Sequence, residues 1–295
     1  MSGSDFPAYE SIKVSKQDGV GVVTIDRPPR NALIPTSMLE IRDAVYRLDE
    51  DESVRAIVLT GAGSYFCSGA DLTREGMLSG GKVNRTEILS LRDAHRRRLG
   101  LKSRDLPQLR LPVIAAINGP AAGGGLSMAL AADIRLIAED AKLNVAFVQR
   151  GLGPEHGLSW LLPRMIGQSA ALELLLTGRT VDGFEAARLG LASRCLPAAE
   201  VLPAAMDMAR GIANRCSPMA VALMKQLAWA HAGGVSLEEA MRNEKLSVEW
   251  ITQQPDADEG IRAFMEKRAP AWKTTGREAF PSPLATLFET ETEEF

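Results

Sequence analysis

Two loops in this chain carry the residue types that let a main chain act on a bound molecule. One reads Phe66-Cys67-Ser68-Gly69-Ala70-Asp71-Leu72 and follows an apolar run; the other, Ile117-Asn118-Gly119-Pro120-Ala121-Ala122-Gly123-Gly124-Gly125, joins an apolar run to a stretch of small residues. Glycines allow close approach of the backbone, and the start of a helix leaves amide N–H groups unpaired at its positive end. Such donors, fixed in a dry site, stabilise negative charge that grows on the oxygen of a bound carbonyl compound, each worth about 3–4 kcal/mol. Other readings stay open at this point. Gly123 to Gly125 also suit tight packing of a helix on a sheet. Gly61-x-Gly63 begins like a dinucleotide loop, but Phe66 stands where the fingerprint needs glycine, and no Walker A loop is present.

The titratable candidates sit in Gly151-Leu152-Gly153-Pro154-Glu155-His156-Gly157. Glu155 reads either as a cap for a helix starting near Gly157 or as a general base whose pKa burial would raise. His156, like His95 and His231, is by default a surface or packing residue; its place beside Glu155 also suits a hydrogen bond to that carboxylate or to a substrate carbonyl. Cys67 adjoins the first loop without a base to activate it. The three cysteines form no C-x-x-C pair, which argues against a disulfide framework or a zinc site, and no metal is expected.

The elements that must hold these loops follow from periodicity. Ile12–Val14 and Val20–Ile25 flank Asp18-Gly19, a hairpin signature. Ser37 with Glu40 predicts a capping box ahead of a helix through Ile41, Val45 and Leu48. Val54–Leu59, Pro112–Ile117 and Ile134–Ile137 read as buried strands, Leu126–Ala132 as a helix, and Arg85 to Arg104 as a polar helix. The alternation predicts an α/β core. After about residue 155 the pattern is almost wholly helical. Asp182 with Glu185, Ser217-Pro218, and Ser236 with Glu239 start helices, and Asp256 is expected to start the last. The tail from Gly276 is expected to be loosely ordered or draped on a neighbour.

Composition excludes several classes. Net charge is −3, and the basic stretch between Arg92 and Arg110 is interrupted by Asp93 and Asp105, so a solvated helix face is expected and no nucleic-acid partner. No apolar run reaches the roughly 18 residues that span a bilayer, and the first ten residues lack a signal pattern, so a cytoplasmic protein without a membrane partner is expected.

The ordered set Arg27-Pro28, Asn31-Ala32-Leu33, Val58-Leu59-Thr60-Gly61, Phe66 to Leu72, Ile117-Asn118-Gly119 and Gly123-Gly124-Gly125 resembles the crotonase (enoyl-CoA hydratase/isomerase) superfamily. Glu259 to Arg268, followed by Pro270, is similar to that family's terminal helix. The resemblance implies a crotonase-like spiral of ββα units: an N-terminal extension (1–10), a ββα core (11–205), a helical trimerisation region (206–275) and a tail (276–295), assembled as a homotrimer or homohexamer. It implies an acyl-CoA thioester substrate, no cofactor beyond the coenzyme A of that substrate, and oxyanion N–H groups from Ala70 and Gly124. Arg27, Arg30, Ala32, Ser68, Asp71 and Leu72 would hold coenzyme A, with Gly123 close by; Phe264 and Lys267 would reach its nucleotide end. The two hydratase glutamates of the family correspond to Ser127 and Phe147, neither of which is a base near neutral pH. Glu155 is similar to the single acidic residue of some isomerases. The resemblance therefore implies enoyl-CoA isomerisation (Δ3→Δ2 or a related proton transfer) with Glu155 as base; alternatives are a hydratase using other groups or a non-catalytic acyl-CoA-binding homologue. RNA binding, which has precedent in the family, is disfavoured by the acidic balance. Phe147, Trp160 and Met165 are expected to line the acyl pocket or the core.

Overall fold

The structure, a computed structural model, describes residues 6–73, 105–281 and 284–285. The helix expected over Arg85 to Arg104, with His95, lies outside those residues.

Strands β1 (Ile12–Gln17) and β2 (Val20–Ile25) pair antiparallel, with Gln17 opposite Val20. Asp18 and Gly19 both take positive φ, 54° and 75°, as a two-residue turn matched to strand twist requires. Helix α1 (Pro35–Glu50) packs on this hairpin, so close to β2 that a Cβ on Gly21 would lie 2.5 Å from a Leu48 methyl. Next come β3 (Ala56–Gly61), a short helix α2 (Asp105–Gln108), β4 (Val113–Ile117), the two-residue β5 (Ala121–Ala122), α3 (Gly124–Ala131) and β6 (Ile134–Ala138). Then follow β7 (Lys142–Asn144), a 3-10 turn at Val148–Arg150, α4 (Leu158–Ile166), α5 (Gln168–Thr177), β8 (Thr180–Asp182), α6 (Gly183–Leu189) and β9 (Arg194–Leu196). Four helices complete the chain: α7 (Ala198–Arg215), α8 (Pro218–His231), α9 (Leu237–Ile251) and α10 (Glu259–Glu266).

The main sheet has the order β1-β2-β3-β4-β6-β9 and is parallel from β2 onward; β5, β7 and β8 form a second, smaller sheet. Every residue of β3 and β4 is buried, as expected for parallel strands covered on both faces. Helix α7 lies across β3, β4 and β6. Asp182, Ser217 and Ser236 cap α6, α8 and α9 as their sequences predict, each side chain accepting from a backbone N–H three residues on.

Three local expectations are corrected. Helix α1 begins at Pro35, so Ser37 lies inside its first turn and accepts from the Ile34 N–H (3.4 Å), while the Glu40 carboxylate accepts from the Glu10 and Ser11 N–H groups at 2.8 Å each. Asp256 does not open the last helix, which begins at Glu259; it accepts instead from the Lys273 and Thr274 N–H groups at 2.8 Å. The first residues of the tail, 276–281, are fastened to their own chain, while most of the rest of the tail lies outside the described residues. Arg277 donates to the Asp49 and Asp51 carbonyls (2.5 and 2.7 Å), Arg110 to those of Gly276 and Glu278 (3.2 and 2.7 Å), and the Phe280 ring packs edge-on against Trp250. Long-range carboxylate-to-amide and arginine-to-carbonyl bonds have outweighed local capping and local flexibility.

Candidate active site

The site is built where β3 and β4 end. Asn118, leaving β4, donates to the Gly61 and Gly63 carbonyls (3.0 and 2.9 Å) and accepts from the Gly61 N–H (3.2 Å). Asn31, at φ 53°, donates to the Ala62 and Tyr65 carbonyls (2.9 and 2.8 Å) and accepts from the Arg27 N–H (3.1 Å). These two side chains brace the first glycine loop from both flanks. Both asparagines belong to the sequence motifs without an expected role of their own; their position directly after a strand or in a turn is the local signal for such bracing.

The two loops meet edge to edge. Cys67 bridges Ala121, and its carbonyl accepts from the Ala122 N–H at 3.0 Å. Gly69 sits at φ 84°, and a Cβ there would lie 2.6 Å from the Ala122 oxygen and 3.4 Å from the Gly124 nitrogen. Gly125 admits no side chain either, since its Cβ would fall 2.5 Å from the Cys67 oxygen. The glycines therefore serve interloop approach as well as helix packing.

Pairing then decides which amides remain available. The Gly123 N–H donates to the Asn144 carbonyl (3.1 Å), and the Gly123 carbonyl accepts from both the N–H and the hydroxyl of Ser127 (3.0 and 3.1 Å). Leu33 pairs with the residues on either side of Ala70: its N–H donates to the Gly69 carbonyl (2.8 Å) and its carbonyl accepts from the Asp71 N–H (2.9 Å). The Ala70 N–H thus points away from that pairing. Among the described residues neither the Ala70 nor the Gly124 N–H has an acceptor. Gly124 opens the eight-residue helix α3, whose dipole adds partial positive charge there.

Several residues expected around coenzyme A converge on the first loop. The Arg27 guanidinium donates to the Ala32 carbonyl (3.2 Å) and pairs with the Asp71 carboxylate at 2.8 Å. Hydrogen bonds from Thr73, then the Arg27 contact, hold the Asp71 carboxyl below its ordinary range. Arg30 is exposed and its carbonyl accepts from the half-buried Ser68 N–H (3.1 Å); Leu72 is half exposed. Phe264 is 81% exposed on α10, and Lys267 caps that helix in a left-handed conformation, also exposed.

Ser127 is fully buried, its hydroxyl held by the Gly123 carbonyl, so it supports the loop. Phe147 is buried and its ring edge lies 3.8 Å from the position a Cβ on Gly123 would take. Trp160 is half-buried, with the Arg164 guanidinium 4.0 Å over its ring. Burial pushes the Cys67 thiol up to about 12, consistent with an inert packing residue.

Glu155 differs from expectation in two local details, capping and burial. It does not cap α4 with its side chain, because the Leu158 N–H goes to its main-chain oxygen (3.2 Å) and the cap position belongs to Gly157. Nor is it buried: its side chain is 60% exposed, with Oε2 3.7 Å from the His156 Nε2. His156 takes φ 55° and turns its ring inward, where Cδ2 and Nε2 each lie 3.6 Å from the position a Cβ on Gly124 would take. His156, expected to be a surface or packing residue, is packed against the second glycine loop.

The enoyl-CoA hydratase/isomerase family model matches residues 15–275. The chain belongs to that family. Among its relatives, enoyl-CoA hydratase ACTT3 of Alternaria alternata is 37% identical over 275 residues, covering 92% of this chain and 89% of that protein. A protein of Mycobacterium bovis described as a probable enoyl-CoA hydratase, echA12, is 40% identical over 266 residues, covering 86% of this chain and 89% of its own length. Among solved structures, a probable enoyl-CoA hydratase/isomerase of Mycobacterium abscessus superposes with a TM-score of 0.76 at 38% identity, covering 88% of this chain and 98% of that one. An enoyl-CoA hydratase of Mycobacterium tuberculosis gives a TM-score of 0.78 at 31% identity, over 89% and 98% of the two chains. The crotonase fold is thereby established, and with it an acyl-CoA enzyme of the hydratase/isomerase family. No described helix is long and apolar enough to cross a membrane.

Proposed function

We propose that this enoyl-CoA hydratase/isomerase family member isomerises an enoyl-CoA thioester by moving a proton between its α and γ carbons, with Glu155 as base. The observation that carries the proposal is the pair of amides, Ala70 and Gly124, that have no acceptor among the described residues, on loops held together at Gly69, beside one carboxylate–imidazole pair. The thioester oxygen accepts from both amides, and its charge grows as the α-proton leaves; the donors bind the enolate more strongly than the neutral thioester. Arg27, Arg30, Ala32 and Ser68, with Asp71 and Leu72, hold the coenzyme A portion. Phe264 and Lys267 meet its nucleotide end across a subunit boundary. Large apolar residues left exposed on α9 and α10, among them Met241, Val248, Ile261, Phe264 and Met265, support assembly into a trimer or hexamer, which sedimentation would read directly.

A second reading, hydration, is favoured by the names of the relatives, many of which are called hydratases. Against it, the positions expected to carry the two hydratase carboxylates hold the buried Ser127 and the buried Phe147. One assay separates them. Incubation with β,γ-enoyl-CoA creates conjugated enoyl absorbance if the chain isomerises, whereas incubation with α,β-enoyl-CoA removes it if the chain hydrates. Glu155→Gln should lower isomerase kcat by at least about a hundredfold; a loss under about threefold would sink the base assignment. A protein that retains acyl-CoA yet turns over neither substrate would be a binding homologue.

A further inference from the structure

The position of the His156 ring suggests more than packing. Its Nε2 lies 3.7 Å from the Glu155 Oε2, and the Cδ2–Nε2 edge of the ring lies 3.6 Å from the position a Cβ on Gly124 would take at the start of α3. The ring is mostly enclosed, 28% exposed, while its partner carboxylate is 60% exposed. Its backbone is left-handed at φ 55° and followed by Gly157 at φ 75°, two consecutive left-handed residues in the turn that carries this side chain. A non-glycine residue held in that region is sustained only by surroundings that over-determine it. Among the described residues, Glu155 is the charged group within ion-pair distance of this ring.

We propose that His156 is a second catalytic group, donating a proton from Nε2 to the γ-carbon while Glu155 removes one from the α-carbon. This rests on the isomerase reading above. The step balances without a co-reactant. The Glu155 carboxylate takes the α-proton as that C–H bond breaks, and its electron pair enters the dienolate, whose oxygen charge the Ala70 and Gly124 amides carry. The double bond shifts as the γ-carbon forms a new C–H bond with the proton of the His156 imidazolium. Glu155 is then a neutral acid and His156 a neutral imidazole, and proton transfer from Oε2 to Nε2 restores the starting pair. A single base needs to swing between two carbons of the same face; a pair divides the task.

The test uses the full-length protein, a protiated β,γ-enoyl-CoA and deuterated water, with deuterium at the product γ-carbon read by mass spectrometry or NMR. Asparagine tolerates the left-handed backbone, so His156→Asn is the variant of choice; melting and acyl-CoA retention check that it folds and binds. In the wild type the γ-carbon should receive solvent deuterium, because the imidazolium exchanges between turnovers. In H156N kcat should fall at least about thirtyfold with KM within about threefold. Its residual turnovers should carry more of the original α-proton to the γ-carbon, since Glu155 then performs both transfers. Turnover of H156N within about threefold of wild type, or an unchanged label fraction, would overturn the proposal. Glu155→Gln, run alongside, separates the two failures. If it keeps full turnover, the base assignment falls and the paired mechanism with it; if it loses turnover while H156N does not, His156 alone is dismissed.

Discussion

Replacing Gly69 by alanine tests the whole arrangement, because this residue sits where the two loops touch. The new Cβ would lie 2.6 Å from the Ala122 carbonyl oxygen, about 0.7 Å inside an ordinary C···O approach of roughly 3.3 Å. The obstacle is backbone, so it cannot swing aside. The residue must also keep φ 84°, which costs an L-residue about 1–2 kcal/mol. The loops must therefore separate by a large fraction of an ångström, which moves the Ala70 N–H relative to that of Gly124. A misplacement approaching 1 Å costs about a hundredfold in rate, and complete loss of one such donor about 10²–10³ in kcat. We expect G69A to lose about a hundredfold or more in kcat/KM on enoyl-CoA, with a fall of a few degrees in melting temperature. The expectation is the same for isomerisation and hydration, since either passes through an enolate-like state. Gly63→Ala is the matched control: Gly63 precedes the same loop with φ 68°, and among the described residues no atom beyond its chain neighbours approaches its Cβ position within 4 Å. It should show the backbone strain and keep its turnover. If G69A remains within about threefold of G63A in kcat/KM, the claim that these loops set two amides on one oxygen is wrong.

Two further expectations concern what holds the frame. Lys225, almost buried on α8, donates to the Leu106 and Leu111 carbonyls and pairs with Asp133, all at 2.8 Å. Lys225→Met strands a carboxylate that still has the Val113 and Trp229 N–H groups, so unfolding free energy should fall by about 3 kcal/mol, near the low end for a broken buried pair; denaturant titration reads it. Glu259 is pulled from an ordinary 4.5 to about 2, first by its hydrogen bond from Arg268 and then by the Ala271 N–H. The unfolded chain takes up this proton first, so the contribution is complete above about pH 4.5 and disappears as pH falls toward 2. Hydrogen exchange in α10 should accelerate over that window, and Glu259→Gln should flatten the dependence.

The sequence alone determined the elements whose cause is local. Asp18-Gly19 can only turn tightly, the buried runs at β3 and β4 can only be enclosed strands, and Asp182, Ser217 and Ser236 cap helices because their partner amides lie three residues away. The ordered glycine motifs were legible too, and with them the family. What tertiary structure decided was which amides and side chains remain free. Gly124 is available, where Gly123 is not, because Asn144 on another strand accepts from the latter; Ala70 is available because Leu33 pairs with its neighbours on either side. Ser37, Glu40 and Asp256 carry local capping signals that give way to amides elsewhere or to a shifted helix start. His156 lies far from Gly124 in the chain and meets it from a turn with two consecutive left-handed residues. A hydrogen bond or a contact between distant segments depends on where the sheet places both, and no local run of residues encodes that distance.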